Sequence, residues 1–163
     1  MLPEDRLVFT YRSRYTLEQV VMRMLEYSNN FIANQLFIFC GASRYAAPGT
    51  REKGVLAAQL YARNELGLGR ITIAEGSGIS RQNKISAAAM MKILVAFEPH
   101  HALMRNKGRV YFKTGHLKGV RTQAGYYQDP ERGLYRYVVL LNTPGKSANP
   151  VVDSLLRALE GRD

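Results

Sequence analysis

At 163 residues, 46% of them hydrophobic, the chain is long enough for one ordinary domain with a core, and two independent domains are not expected. A formal net charge of +10 suits an anionic partner such as a nucleic acid, an anionic surface or an acidic polymer, but it speaks of association and not of fold. The single Cys40 excludes an internal disulfide, and no apolar run approaches the length of a membrane span.

Thr16 and Gln19 have capping-box spacing, and Leu17, Val20, Val21, Met24 and Leu25 recur at helical intervals, which predicts an amphipathic helix running toward Tyr27. Ser28-Asn29-Asn30 interrupts it. Phe31 to Cys40 is apolar nearly all round and is followed by Gly41, so a second, buried helix with a left-handed cap is expected, with Cys40 as a buried, inert thiol. Pro48-Gly49 marks a turn, and Thr50 to Leu66 carries a third helical period that ends at Gly67. Arg70 to Ile73 reads as a short strand running into the glycine-bearing loop Glu75-Gly76-Ser77-Gly78.

Ser86 is placed to cap a helix through Phe97 that Pro99 ends. The periodicity then changes. Val110 to Lys113, Thr122 to Tyr127 and Leu134 to Leu141 have the β-branched and aromatic content of strands, and Asp129 to Gly133 has turn composition, which predicts a three-stranded antiparallel meander. Asn149-Pro150 opens a last helix whose apolar face is Val151, Val152, Leu155, Leu156 and Leu159, closed by Gly161. The expected architecture is one α/β domain: helices, then a sheet, then a covering helix. Residues 1–6 have no charged stretch followed by an apolar one, so no export signal is expected in the chain as written.

Two tripeptides carry chemistry. In Lys113-Thr114-Gly115, a lysine at a strand end beside a hydroxyl can pair and hydrogen-bond a carboxylate, while the glycine lets a substrate backbone lie close. In Ser28-Asn29-Asn30, a hydroxyl and an amide at a helix break can relay a proton and fix a lysine or a substrate carbonyl. Each alone reads better as a solvated strand-end lysine or a helix cap. His100, His101, His116 and Cys40 lack metal-ligand spacing, and Gly67-Leu68-Gly69 lacks the rest of a phosphate-binding fingerprint, so no metal or cofactor is expected. Arg105, Lys107, Arg109, Lys113, Lys118 and Arg121, interleaved with Tyr111, Phe112, Tyr126 and Tyr127, would also suit a single-strand nucleic-acid platform. The preferred reading is a basic rim around a carboxylate-accepting cleft, with no nucleic-acid partner.

Three stretches in order settle the preference. Met22 to Asn34, around Ser28-Asn29-Asn30, resembles the S-x-N segment of serine-type D-alanyl-D-alanine carboxypeptidase/endopeptidases, the low-molecular-mass penicillin-binding proteins of the S13 peptidase family. Glu75 to Asn83 resembles that family's (D/E)-G-S-G-(L/I)-S-R-x-N stretch, and Lys113 to Val120 with Ala124-Gly125-Tyr126 resembles its K-T-G segment. The resemblance implies a partial β-lactamase/penicillin-binding-protein fold, an acyl-enzyme mechanism without cofactor, peptidoglycan stem peptides and β-lactams as ligands, and a site outside the cytoplasmic membrane. It implies that Ser28 relays a proton, that Asn30 contacts the lysine of the S-x-x-K motif and the substrate amide, and that Lys113 supplies positive charge. Thr114, Gly115 and His116 would hold the terminal carboxylate, with Ile79 and Arg81 forming the pocket for the peptide side chain.

Two departures stand out. His116 occupies a position where the family usually has Thr or Ser, and no Ser in these residues is followed by Lys three positions on, so the motif that carries the nucleophile is missing. The chain is therefore expected to be the C-terminal portion of a DD-peptidase catalytic domain, inactive alone, with the S-x-x-K portion upstream of Met1 as a possible partner. Leu134 to Leu141, which would pair with a strand of that portion, is expected to be an open edge. The alternatives are a non-catalytic peptidoglycan-binding remnant and, less favoured, a basic nucleic-acid-binding domain.

Overall fold

The computed structural model describes residues 6 and 8–161; of the segment read for an export signal, all but Arg6 lies outside the described residues. The chain divides into two compact units, Met1–Lys84 and Ile85–Asp163.

The first unit is built on three helices, α1 (Leu17–Tyr27), α2 (Asn30–Tyr45) and α3 (Arg51–Asn64). The expected capping box opens α1: Gln19 N–H donates to Thr16 Oγ1 at 3.2 Å and Thr16 N–H to Gln19 Oε1 at 3.0 Å. Thr50 caps α3 in the same way through Lys53 N–H.

Helix α2 does not stop at Gly41. It runs on to Tyr45, the capping residue is Ala46 with a positive φ of 62° but an extended ψ of 164°, and Gly41 is buried inside the helix. A Cβ on Gly41 would lie 2.6 Å from Lys53 C, and one on Gly54 would lie 2.6 Å from Phe37 Cδ1. The two glycines let the backbones of α2 and α3 approach, a packing role that a glycine after an apolar run does not reveal. Phe37, one turn before Gly41, shares that inner face, whereas Cys40 lies about 100° round the helix from Gly41. Cys40 is accordingly exposed and not buried, as are Phe31 and Phe39.

The expected strand at Arg70–Ile73 reduces to one antiparallel bridge between Thr72 and Lys84, with backbone bonds of 3.0 and 2.9 Å. It closes the base of the loop between them.

The second unit starts with α4 (Ala87–Phe97), capped by Ser86 Oγ accepting from Ala89 N–H at 3.1 Å; at Pro99 the chain tightens into a 3-10 turn, Glu98–Leu103. The sheet has four antiparallel strands in chain order, β1 (Arg105–Lys107), β2 (Val110–Leu117), β3 (Val120–Asp129) and β4 (Gly133–Leu141). The meander thus carries one strand more than expected, because three exposed polar residues give β1 no alternating signal. Glycines 108, 119 and 133, with φ 61°, 77° and 88°, lie at the three hairpin turns, the last braced by Asp129 Oδ1 accepting from Glu131 and Arg132 N–H.

Helix α5 (Asn149–Leu159) covers one face as expected, packing Ala148 and Val152 on Tyr137 and Val139, with Val110, Phe112, Leu141 and Leu156 around them. Its N-cap is Ala148 and not Asn149, without a side-chain cap bond. The opposite face packs on α4, where the buried Tyr126 hydroxyl donates to Leu94 O at 2.5 Å. Burial, reinforced by Glu98 nearby and opposed by Arg136, pushes that hydroxyl up to about 12. Strand β4 pairs with β3 alone, so its outer edge is open among the described residues, and β1 covers only Val110–Phe112 of β2.

Candidate active site

In the first unit Ser28-Asn29-Asn30 forms the corner between α1 and α2. Its middle residue does the capping: Asn29 Oδ1 accepts from Ile32 N–H at 3.0 Å, and the Ser28 and Asn29 N–H groups close α1 on Met24 O. Ser28 sits in the left-handed region, φ 51° and ψ 47°. A residue with a Cβ pays roughly 1 kcal/mol or more there, where glycine would not. A serine held at such a corner is a strained position of the kind that accompanies function. Both Ser28 and Asn30 are exposed.

Asn34, one turn after Asn30 on the same helix face, accepts a hydrogen bond from Gly76 N–H at 2.9 Å through Oδ1. A Cβ on Gly76 would lie 2.5 Å from Phe37 Cβ, so the loop enters in close contact with α2. The S-x-N helix and the loop carrying Ile79 and Arg81 are therefore bolted together within this unit. The loop is organised by Glu75. One carboxylate oxygen accepts from Gly78 N–H (2.8 Å), Ser80 N–H (3.2 Å) and Asn83 Nδ2 (2.7 Å); the other accepts from Ser77 N–H (2.7 Å) and the Ser77 hydroxyl. Asn83 Oδ1 accepts from Ala74 N–H at 2.7 Å and completes the ring. Burial alone would raise the Glu75 carboxyl, but the Ser77, Ser80 and Asn83 donors hold it at about 2, below the usual 4.5. Its hold on the loop is complete above pH 4.5 and is lost as pH falls toward 2.

In the second unit Lys113-Thr114-Gly115 lies in the middle of β2 and not at a strand end. Alternation puts Lys113 and Gly115 on the face of Tyr111 and Tyr126, toward α4, and Thr114 and His116 on the face of Val110 and Phe112. Lys113 is half-buried; Nζ donates to Thr114 O at 2.9 Å, and burial lowers its basicity below that of a free lysine. Thr114 and His116 are exposed. Gly115 has a local reason to be glycine, because a Cβ would collide with Thr122 Oγ1 directly across the ladder. Beyond Phe112 the outer edge of β2 has no strand partner among the described residues. A ligand lying along that edge has Lys113 above it and Thr114 and His116 below it, so both faces of the tripeptide are within its reach.

Of the basic segment, Lys113 faces α4, while Arg105, Lys107 and Arg121 lie on the opposite face with Val110 and Phe112; Arg121 donates to Leu117 O and Val120 O, and Arg105 stands 6.0 Å over the Phe112 ring. Among the described residues no three His, Cys, Asp or Glu side chains gather as a metal site, and no helix is long and apolar enough to cross a membrane.

Residues 4–106 match the model of the D-Ala-D-Ala carboxypeptidase 3 (S13) family. The chain belongs to this family. The matched S13 segment takes in Ser28-Asn29-Asn30 and Glu75 to Asn83, and ends before Lys113. Over 151 residues the chain is 26% identical to the D-alanyl-D-alanine carboxypeptidase DacB of Haemophilus influenzae, covering 77% of the chain and 32% of that protein. The crystal structure of penicillin-binding protein 4 (dacB) from Haemophilus influenzae matches with a TM-score of 0.75 at 23% identity, over 86% of this chain and 39% of that one. A predatory endopeptidase of Bdellovibrio bacteriovorus, solved in complex with an immunity protein, matches with a TM-score of 0.65 at 20% identity, over 90% and 42%. This S13 member thus has part of the DD-peptidase fold and spans about a third of the length of its curated relative.

Among residues with a local job, sequence reading missed Glu75, Asn34 and Thr122. The only signal for the first was that the family-like stretch opens on an acid at 75 and closes on an amide at 83.

Proposed function

We propose that these residues are the C-terminal portion of the catalytic domain of a peptidoglycan D-alanyl-D-alanine carboxypeptidase/endopeptidase, and that they hold the substrate while the nucleophile comes from an S-x-x-K segment outside them. The observation that carries the reading is that β1 pairs with Val110–Phe112 only, so that among the described residues Thr114–Leu117 of β2 has no strand on that side, with the half-buried Lys113 ammonium beside it. A stem peptide ending in D-Ala-D-Ala can lie along this edge as an added strand, its terminal carboxylate taken by Lys113, Thr114 and His116 and its backbone passing over Gly115. Ser28 relays a proton to and from the leaving amine, and Asn30 holds the lysine of the S-x-x-K motif and the substrate amide. The nucleophilic serine attacks the carbonyl between the two D-alanines, the terminal D-alanine departs, and water hydrolyses the acyl-enzyme. The setting for this chemistry is outside the cytoplasmic membrane.

A polypeptide of these 163 residues is expected to take no covalent label from a fluorescent penicillin, because no serine in it stands in an S-x-x-K motif. Labelling of the isolated polypeptide would contradict the assignment. Ser28 separates the structural from the functional role of its corner. Ser28→Gly is expected to stabilise the first unit by about 1 kcal/mol by relieving the left-handed strain, as read by urea unfolding, and to abolish acylation once an S-x-x-K segment is supplied. Undiminished acylation in that variant would remove Ser28 from the mechanism.

A further inference from the structure

We propose that Glu75 is the positioning residue for peptide specificity: its carboxylate sets the 75–83 loop so that Ile79 and Arg81 meet the side chain of the residue preceding D-Ala-D-Ala in one fixed orientation. This rests on the reading of the chain as part of a DD-peptidase. The N–H groups of Ser77, Gly78 and Ser80 all point to the Glu75 carboxylate, and that of Ile79 to the Ser77 hydroxyl the carboxylate holds, 3.4 Å away. Successive backbone donors turned to one centre form a cradle that attracts an anion, and here the protein supplies the anion itself. The turn beyond is tied as well: Gln82 N–H donates to Ser80 Oγ at 3.2 Å and Asn83 N–H to Ser80 O at 3.1 Å. Below, the loop is anchored by the Thr72–Lys84 bridge and by Asn34 on α2.

What this scaffold displays is an isoleucine 56% exposed and an exposed arginine two residues later. A rigid loop that keeps a large apolar side chain in water, next to a cation, is suited to a side chain with apolar methylenes and an anionic end. Glu75 acts through the backbone on either side of them, by way of the Gly78 and Ser80 N–H groups.

The test compares wild type, Glu75→Gln and Glu75→Asp in two measurements. Hydrogen exchange at the Gly78 and Ser80 amides is expected to speed up about tenfold or more in Glu75→Gln, which turns an acceptor into a donor facing N–H groups, and to recover substantially in Glu75→Asp. The second measurement is titration with acetyl-glycyl-D-Ala-D-Ala, which has no side chain for the loop to meet, and acetyl-L-glutamyl-D-Ala-D-Ala. Wild type should prefer the glutamyl peptide. Glu75→Gln should bring the ratio of affinities to about one by weakening that peptide alone, and Glu75→Asp should restore the preference. Unchanged exchange in Glu75→Gln, or equal weakening of both peptides, overturns the inference. Failure of wild type to bind either peptide instead refutes the proposed function, while the exchange result still reports whether Glu75 sets the loop.

Discussion

Gly125→Ala is expected to destabilise the sheet of the second unit by about 3 kcal/mol or more, the upper end for overpacking a core. Gly125 lies in β3 opposite Phe112 on one side and Tyr137 on the other, next to the buried Tyr126 and Tyr127. A Cβ there would collide with the Tyr111 carbonyl and lie 2.8 Å from Phe112 Cα. Both neighbours are backbone, so no rotamer change relieves the contact; β2 must move away from β3 along the segment that carries Lys113. Urea unfolding, with hydrogen exchange at β3 amides to assign the loss to this unit, should show a lower midpoint. Gly69→Ala serves as the control, since a Cβ at Gly69 meets nothing within 4 Å, and it should change stability by a few tenths of a kcal/mol at most. Equal stability of the two variants would mean that the β2–β3 approach at Gly125 is looser than described.

Lys113→Ala is expected to weaken binding of a peptide ending in D-Ala-D-Ala by about 100-fold, within the 2–5 kcal/mol typical of removing one partner from a desolvated charge pair. Stability should hardly fall, because a half-buried ammonium costs desolvation that the substitution removes. The sign of the pH effect follows. With its folded pKa below the usual 10.5, charged Lys113 opposes folding at neutral pH, and that opposition is relieved as pH rises through the folded value. Carboxylate binding changes the other way: it needs the ammonium and fails at a pH below that expected for a free lysine. Isothermal titration across the alkaline range should show this limb in wild type and not in Lys113→Ala. A variant that binds the peptide as wild type does would remove Lys113 from the site.

Where one local interaction decides a feature, the sequence was sufficient. Thr16 and Ser86 each stand before a helix and each accepts the capping bond that its place implies. Where a distant partner decides, it was not. Gly41 after an apolar run reads as a cap, but Gly54 on α3 makes it a close contact inside a longer helix. Gly115 reads as a strand end and a substrate groove, although it lies inside β2, where a Cβ would also crowd the Thr122 hydroxyl across the ladder. Strand β1 is three polar residues whose only evidence is their partner. The proposed site residues stand in family-like stretches; the device that holds the loop of two of them was not legible. A carboxylate that collects backbone donors from three residues leaves no periodicity behind.

The central claim, that these residues hold the substrate for a serine supplied elsewhere, is tested most directly by fluorescent-penicillin labelling before and after an S-x-x-K-bearing segment from an S13 relative is joined ahead of Met1. No label is expected on the 163-residue polypeptide, label is expected on the joined protein, and that label should be lost in its Lys113→Ala variant. Labelling of the polypeptide alone, or labelling of the joined protein that is indifferent to Lys113, would contradict it.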